Sequence, residues 1–247
     1  MAEPLGWDEL FDLSKSGWDS VGAFFSVAQL LASRSRTVVD VGCGRGGLAD
    51  NLTGPAFCDM RGAGRHVIGI DVDPAGTANP MIDEFRLIPA NGRWPLDDAS
   101  ADLAVSDWVL EHVDDPPAFV AELARVLRPG GVFVARTVSR HSPLSLAARA
   151  VPNERHAHWL GVLGAGRQSR DVFPTRYRMN TERGLHGVFD AQFECRVLHR
   201  AGLDRYLLRW PRLARSVMAV EPHLPKAVQM ALVVYARRRG TPASAQE

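Results

Sequence analysis

The sequence lacks the long apolar stretches that would take a chain into or across a membrane. Its apolar runs, such as residues 231–236, are far shorter than the roughly 18 consecutive apolar residues of a spanning helix. The first residues also lack the basic start and the continuous apolar stretch of a secretory signal. We therefore expect a cytoplasmic protein with no stable membrane insertion.

Cysteine is scarce as well, with three residues at Cys43, Cys58 and Cys195. An odd number without Cys-x-x-Cys spacing fits neither a disulfide framework nor a redox or metal pair, so we expect reduced structural thiols. The spacing of His156 and His158 could suggest a metal pair, but no nearby constellation of cysteines or carboxylates completes one. The sequence therefore predicts no metal site.

An overall excess of either charge is absent, because the formal net charge is only +1. The charges are nevertheless unevenly placed. Residues 1–139 hold 11 basic and 20 acidic side chains, whereas residues 140–240 hold 18 and 7, or −9 against +11. Two interpretations stay open: the basic segment packs over the acidic one, or it faces an anionic substrate or surface. Nucleic acid is not an expected partner, since no recognition motif or aromatic stacking pattern accompanies the basic residues.

What the sequence does contain is an alternation of short apolar strands with amphipathic helices. The predicted strands are residues 37–41, 66–70, 85–88, 101–106 and 132–138. The predicted helices are residues 48–52 and 116–127, preceded by one or two helices within 8–32. Such alternation predicts one doubly wound α/β domain whose parallel sheet carries helices on both faces, with ligands beyond the carboxyl ends of the strands. The expected site therefore lies at residues 40–47, 71, 91 and 106–112.

The connection after the fifth strand is long, at about 50 residues before the next predicted strand. Segments of this length inside a compact domain are usually functional lids or contain helices of their own. Because it leaves the ligand end of the sheet, we expect it to form a cap over the site. The expected organisation is an N-terminal helical lid at 1–34, a cofactor-binding core at 35–139, the cap at 140–186, closing strands at 187–240 and a disordered tail at 241–247.

Glycines after the first strand indicate a close approach of the backbone to a ligand. Gly42, Gly44, Gly46 and Gly47 satisfy both G-x-G-x-G and G-x-G-x-x-G, so this loop alone does not separate S-adenosylmethionine (SAM) from nicotinamide or flavin dinucleotides. Asp71 ends the second strand, where a carboxylate accepts the ribose hydroxyl hydrogens that all these cofactors share. A helix N-cap is its simpler alternative role.

Five ordered blocks decide between these cofactors. They are residues 38–46, 67–74, 91–103, 106–112 and 127–131. Together they resemble the class I, Rossmann-like, SAM-dependent methyltransferases of the small-molecule branch, over roughly residues 35–140. The resemblance implies a seven-stranded, mostly parallel sheet with an antiparallel last strand, and residues 193–198 and 230–236 look like its closing strands. It also implies SAM as the cofactor and S-adenosylhomocysteine as its product.

The resemblance assigns cofactor contacts residue by residue. The glycine loop and the segment after the fourth strand would hold the methionine part, the acid after the second strand the ribose, and the pair after the third strand the adenine. The implied residues are Asp40, Gly42, Cys43, Gly44, Gly46, Asp71, Val72, Asn91, Gly92, Asp107 and Trp108. The family commonly has an acid at the position of Asn91, whose amide oxygen can still accept from the adenine amino group without charge assistance.

The acceptor side is less defined by the sequence. The resemblance implies methyl transfer to a small molecule. We expect an oxygen atom as the acceptor and His112 as a general base, with a purely structural histidine as the alternative. In the cap, the expected acceptor contacts are His141, Arg176, Tyr177 and Arg178, and the arginines would suit an anionic group, because guanidinium forks match carboxylates and phosphates. We expect a monomer or a homodimer.

Two other functions stay open. A nicotinamide-dependent oxidoreductase is disfavoured by the sequence at 110–112 and 129–131, and failure to bind NAD or NADP would exclude it. A non-catalytic SAM-binding protein would keep the same glycines and Asp71, because binding does not guarantee transfer.

Overall fold

The structure, a computed structural model, describes residues 6–14, 20–46, 58–150, 174–202 and 210–240. Its strands are β1 Thr37–Val41, β2 His66–Asp71, β3 Glu84–Leu87, β4 Ala101–Asp107, β5 Leu127–Val138, β6 Phe193–Arg200 and β7 Ala231–Arg238. Its α-helices are α1 Trp7–Ser14, α2 Ser20–Ala32, α3 Pro116–Val126, α4 Pro143–Ala150, α5 Glu182–Phe189 and α6 Pro211–Val220. Short 3-10 turns lie at Pro74–Ala78, Glu221–His223 and Lys226–Val228. No helix within the described ranges is long and apolar enough to cross a bilayer.

The seven strands form one sheet in the order β3-β2-β1-β4-β5-β7-β6. The first five strands pair in parallel, while β7 runs antiparallel to both β5 and β6. The parallel pairing follows from the long connections between successive strands, since parallel neighbours need a crossover. The predicted fold class, a doubly wound Rossmann-like sheet with an antiparallel last strand, is confirmed.

Each face of the sheet carries its own apolar core. On one face, α3 and α5 bury Val120, Leu123 and Phe189 against the strands. On the other face, α2 packs Phe24 and Phe25 on the sheet. Neighbouring residues along a strand belong to opposite cores, as the two-residue period of a strand requires. Burial of each such side chain contributes roughly 1.5–3 kcal/mol relative to exposure, so both layers hold the strand ends in place.

The junction between α3 and β5 differs from the prediction. The helix ends one residue early, and β5 begins directly at Leu127. Residues 129–131, which the sequence predicts as a helix stop outside the strand, therefore belong to β5. Ala101 pairs with Leu127 and Leu103 pairs with Val132, so the extra residues of β5 form a bulge opposite β4. Gly130, within this bulge, has a φ of +80°. The glycines mark a strand irregularity as well as the end of the helix.

Several sequence predictions concern residues outside the described ranges. These are the helix at 48–52, Gly47, cap residues 151–173, the His156 and His158 pair and the tail at 241–247. Of the expected N-terminal lid, α1 and α2 are described. The division of the chain into lid, core, cap and closing strands stays a prediction.

Candidate cofactor and acceptor site

The predicted glycine loop and the acid that follows β2 meet at the carboxyl ends of β1 and β2. Gly42 leaves β1 and its N–H donates to the carbonyl of Ile70 (2.8 Å). Gly42, Gly44 and Gly46 have φ values of +73°, +49° and +74°, a region that favours glycine. A Cβ at Gly42 would lie 2.4 Å from Val109 Cγ2, whereas a Cβ at Gly44 would meet no atom of the described residues within 4 Å. The loop is tightly packed at its start and open in its middle. We call residues 40–46 with Asp71 the cradle.

Asp71 ties the loop to β2. One of its carboxylate oxygens accepts the N–H of Gly44 and the other accepts the N–H of Asp73, each at 2.9 Å. The N-cap of the following 3-10 turn is Asp73, which accepts from the N–H of Ala75, so capping is not the role of Asp71. Asp71 is only 7% exposed. An ionised carboxylate has about four acceptor sites, which leaves Asp71 capacity for a ligand.

Asn79, which the sequence analysis does not single out, also supports the loop. The residue is buried, its Nδ2 donates to the carbonyl of Cys43 (2.8 Å), and its Oδ1 accepts the N–H of Met81 (2.9 Å). A Cβ at Gly46 would lie 2.5 Å from the same Oδ1. An isolated asparagine carries no sequence signal of a partner 36 residues away.

Three carboxylates, those of Asp40, Asp71 and Asp107, make this end of the sheet electronegative. Burial, together with the charges of Asp107 and Asp71, raises the pKa of Asp40 to about 7. Burial in the same surroundings raises the pKa of the Cys43 thiol, so this cysteine stays protonated. A cationic ligand would offset the repulsion among the carboxylates, and an anionic ligand would add to it.

Arg136 supplies the positive charge next to Asp107. Its side chain is fully buried, and its Nε and Nη2 donate to the two Asp107 oxygens at 2.7 and 2.8 Å. Its guanidinium carbon lies 5.0 Å from the ring centroid of Trp108 and 5.6 and 5.7 Å from those of Phe24 and Phe25, within cation–π range. Among the described residues, Nη1 has no hydrogen-bond partner. Asp107 and Trp108, which the resemblance assigns to the cofactor, are thus both engaged by a residue that the sequence analysis missed.

The segment after β4 carries His112 and contacts the described end of the cap. His112 Nδ1 lies 3.1 Å from the carbonyl oxygen of Pro174. A carbonyl only accepts, so Nδ1 carries the hydrogen, and Nε2 is the lone-pair nitrogen of the neutral ring. The carbonyl of Glu111 accepts the N–H groups of Arg176 (2.7 Å) and Tyr177 (3.2 Å). We call residues 107–114 and 174–180 together the wall.

A buried polar chain fastens the wall to β5. Glu111 Oε2 accepts from the hydroxyl of Thr137 (2.6 Å), and that hydroxyl accepts from Asn180 Nδ2 (2.7 Å). Asn180 Nδ2 also lies 3.0 Å from the carbonyl of Val138, and its Oδ1 has no hydrogen-bond partner in the part of the chain that the structure describes. The three side chains belong to residues that are at most 4% exposed. Glu111 lies in the block 106–112, but no local motif marks Thr137 or Asn180, because the contacts span 26 and 43 residues of chain.

The two arginines predicted to bind the acceptor lie beside an acidic residue of the protein. Arg178 Nη2 lies 2.9 Å and Arg176 Nε 3.5 Å from Asp114 Oδ1. These pairs join the basic segment, residues 140–240, to the acidic part of the chain. Such contacts are expected if the basic segment packs over the acidic one within the molecule. The role of the two arginines in binding an anionic acceptor stays a prediction. Tyr177, with a φ of +52°, packs with Trp108 against the apolar group around Val138.

The remaining predicted residues lie at an exposed rim. Val72 is 62% exposed, and Asn91 and Gly92 lie in the exposed turn after β3. Asn91 Oδ1 accepts the N–H of Arg93 (3.1 Å), which is a local turn contact. His141 is exposed on the turn after β5. The ligand roles of these four residues stay predictions.

Known proteins resemble this chain over its central part. The family described as methyltransferase domain matches residues 39–135. A probable S-adenosylmethionine-dependent methyltransferase of Mycolicibacterium smegmatis is 41% identical over 119 residues, which cover 46% of this chain and 43% of the relative. A ubiquinone biosynthesis O-methyltransferase of Maricaulis maris is 31% identical over 156 residues, which cover 60% and 57%. The matches thus span less than two thirds of either relative.

The fold has close counterparts among solved structures. A SAM-dependent methyltransferase from Aquifex aeolicus aligns with a TM-score of 0.50 and 17% identity, covering 93% of this chain and 98% of that one. At this identity the likeness concerns the fold alone. The family match, in contrast, rests on sequence. It covers the glycine loop, β2 and β4, which are the elements that build the site. Residues 39–135 therefore resemble a methyltransferase domain, on a fold shared with the Aquifex aeolicus structure.

Proposed function

We propose that this protein transfers a methyl group from SAM to a small-molecule acceptor. The observation that carries the proposal is the cradle, in which a glycine loop with open space at Gly44 adjoins three carboxylates. SAM is cationic at its sulfonium and ammonium groups, so it fits the environment that raises the pKa of Asp40. A nicotinamide dinucleotide brings phosphate charges instead, and the carboxylates would repel them.

Within this proposal, residues of the chain hold and orient the cofactor. Asp71 accepts the ribose hydroxyls while it keeps Gly44 in place, and Asp40 lies near the positive charge. Asn91 and Gly92 form the adenine side. Bound SAM supplies an activated methyl group. The protein then aligns the acceptor and excludes water, and such positioning lowers a barrier by ~7–11 kcal/mol in favourable cases.

An oxygen acceptor fits the tautomer of His112 that its hydrogen bond to Pro174 selects. Because Nδ1–H is directed to the carbonyl of Pro174, Nε2 is the nitrogen that can take the proton of a hydroxyl group as that group is methylated. Trp108 and Tyr177 would line the acceptor with an apolar surface. The name of the Maricaulis maris relative, an O-methyltransferase, supports the same acceptor atom.

Calorimetry and a transfer assay test the proposal in turn. We expect SAM and S-adenosylhomocysteine to bind with micromolar affinity and to raise the melting temperature by linkage, while NAD does neither. Label from SAM should then appear in a small molecule of a host extract, to be identified by mass spectrometry. Absence of heat at millimolar SAM would contradict the proposed cofactor. Binding without transfer to any extract would support a non-catalytic SAM-binding protein.

The role of His112 is tested by two substitutions. His112→Asn keeps a side-chain N–H for the carbonyl of Pro174 but offers no base, whereas His112→Ala loses both. A general base predicts that kcat falls by about 10²–10⁴ in both variants, with SAM affinity unchanged. A purely structural histidine predicts instead that the asparagine variant keeps its activity and only the alanine variant loses it.

A further inference from the structure

A second group of chemistry-bearing side chains lies away from the cradle. His186 is in the last turn of α5, Asp190 follows that helix, and Cys195 is in β6. His186 Nδ1 is 3.1 Å from each oxygen of Asp190, and one ligand atom from each of the three residues lies within 4.8 Å of the other two. In the part of the chain that the structure describes, this is the one such group of three.

The group lies several strands away from the cradle, measured across the width of the sheet. Cys195 pairs with Ala236, which pairs with Phe133, which pairs with Ala104 in β4. Cys195 is therefore three strands from β4, or about 14 Å at the usual strand spacing. It is also level with the middle of β4 rather than with its carboxyl end. A ligand held there would not touch the cradle.

Local structure explains how the three side chains meet. His186 and Asp190 are four residues apart at the end of a helix, so they lie on the same side of it. The turn from α5 to β6 is fixed by Phe189 and Phe193, which are fully buried and stack edge to face. That turn brings the third residue of β6, the buried Cys195, up to the helix end. All three residues lie within the described ranges.

We propose that His186, Asp190 and Cys195 bind a divalent transition metal ion, with Zn²⁺ as the best match. Imidazole, carboxylate and thiolate are the ligand types that Zn²⁺ takes in proteins, at bond lengths of about 2.0–2.3 Å. Tetrahedral coordination at those lengths separates ligand atoms by about 3.3–3.8 Å. The three ligand atoms, now within 4.8 Å of one another, reach that geometry by movements of about 1 Å.

Charge balance favours a dication at this place. A thiolate and a carboxylate together neutralise the ion, and the carbonyl groups at the end of α5 add the negative end of the helix dipole. Without a metal, burial and the neighbouring Asp190 charge raise the pKa of the Cys195 thiol to about 12. On binding, the S–H bond breaks, a sulfur–metal bond forms, one water leaves the ion, and the proton goes to solvent. The exposed side of Asp190 leaves room for a water as the fourth ligand.

The site would act as a clamp between α5 and β6. Helix α5 begins two residues after Asn180, whose side chain bonds Thr137 in β5, so the metal would hold the wall in place from its far side. The proposal does not depend on methyl transfer. It predicts a gain in stability on metal binding that is present with or without SAM.

Metal titration of the chelator-treated full chain tests the site directly. We expect one equivalent of Co²⁺ to bind and to give both the visible bands of tetrahedral Co²⁺ and a sulfur-to-metal charge-transfer band. Zn²⁺ should displace Co²⁺ and raise the melting temperature. Cys195→Ser should abolish the charge-transfer band, and both it and His186→Gln should weaken Zn²⁺ binding by about 100-fold or more, since loss of an outer partner alone costs up to that much.

Cys58→Ser is the matched control, because it removes another buried thiol that lies elsewhere in the fold. This variant should keep the full Co²⁺ spectrum and the Zn²⁺ effect on melting. If Cys195→Ser does not fold, His186→Gln tests the proposal alone, because the side chain of His186 is partly exposed and its replacement should be tolerated. Failure of the wild type to bind one equivalent, a Co²⁺ spectrum without sulfur charge transfer, or unchanged affinity in His186→Gln would each overturn the proposal. No SAM is present in the titration, so its result is independent of the proposed function.

Discussion

The cradle and the wall are built in different ways. In the cradle, backbone turns at the ends of β1 and β2 place the glycine loop, and Asp71 bonds the N–H groups of Gly44 and Asp73. In the wall, side chains that are distant in sequence hold the structure, as Arg136 does with Asp107 across 29 residues. The comparison indicates that changes in the wall should reduce stability first, whereas changes in the cradle should reduce cofactor affinity first.

The largest expected effect is on stability, from Arg136→Met. This change leaves the Asp107 carboxylate, whose side chain is 18% exposed, without its buried partner. Breaking a buried pair in this way costs about 3–5 kcal/mol of unfolding free energy. Denaturant unfolding with SAM absent measures the loss.

Arg128→Met is the matched control for that prediction. Arg128 pairs with Asp102, but its side chain is 45% exposed. Exposed pairs contribute about 0–1 kcal/mol, so this variant should unfold nearly as the wild type does. Equal losses of unfolding free energy in the two arginine variants would contradict the proposed difference between the buried Arg136–Asp107 pair and an exposed surface pair.

A smaller effect, on affinity, is expected from Asp71→Ala. The change removes the charged acceptor for the ribose hydroxyls, and we expect SAM binding to weaken by about 1.5–3 kcal/mol, roughly ten- to hundredfold. Asp73→Ala is the control, because Asp73 caps the neighbouring 3-10 turn and has no proposed ligand contact. Calorimetry on both folded variants gives the two dissociation constants. An equal loss in the Asp73 variant would assign the effect to the loop and not to the carboxylate of Asp71.

The smallest expected effect is a pH dependence that originates at Asp40. Its pKa of about 7 in the folded state means that the carboxylate gains its charge only near neutral pH. The ionised form attracts a cation, so SAM affinity should increase by up to about tenfold as the pH rises through 7, and Asp40→Asn should abolish this dependence. Calorimetry between pH 6 and 8, on the order of one unit to each side of the pKa, tests it.

The raised pKa of Asp40 also makes the unfolding free energy depend on pH. This contribution to stability decreases as the pH rises, whereas the SAM affinity increases. Because folding raises the pKa of Asp40 from its ordinary value of 3.8 to about 7, the folded chain holds this proton more tightly than the unfolded chain does. The contribution of Asp40 to stability is therefore complete below pH 3.8 and is lost as the pH rises to about 7. The difference in unfolding free energy between wild type and Asp40→Asn should vary over that range and be constant above it.

The sequence predicted the strands well where an apolar run had clear ends. The interval predicted for β1 agrees with Thr37–Val41, and that for β4 is one residue shorter than Ala101–Asp107. It predicted β5 less well, because the glycines at 130 and 131 indicate a turn unless the bulge against β4 is known. The glycine loop and Asp71 were predicted to meet and do so, since two adjacent parallel strands end at the same edge.

Partners of single polar residues were not predictable in the same way. Arg136, Asn79 and Asn180 carry no motif, and a charge inside an apolar strand indicates a buried pair without naming its partner. Arg176 and Arg178 were predicted to face a ligand because a run of arginines suits anions. In the folded chain Asp114 lies beside them, and this acid comes from a segment more than 60 residues earlier.

The sequence by itself determined the succession of strands β1 to β5, the glycine loop and the acid after β2, because each depends on residues that are neighbours in the chain. Hydrophobic periodicity and backbone conformational preference are local properties, and they act before any long-range contact forms. Only the tertiary structure decided that Arg136 pairs with Asp107, that His112 donates to Pro174, and that His186 and Asp190 meet Cys195. Those contacts depend on the packing of whole helices against the sheet, which fixes distances that sequence spacing does not contain.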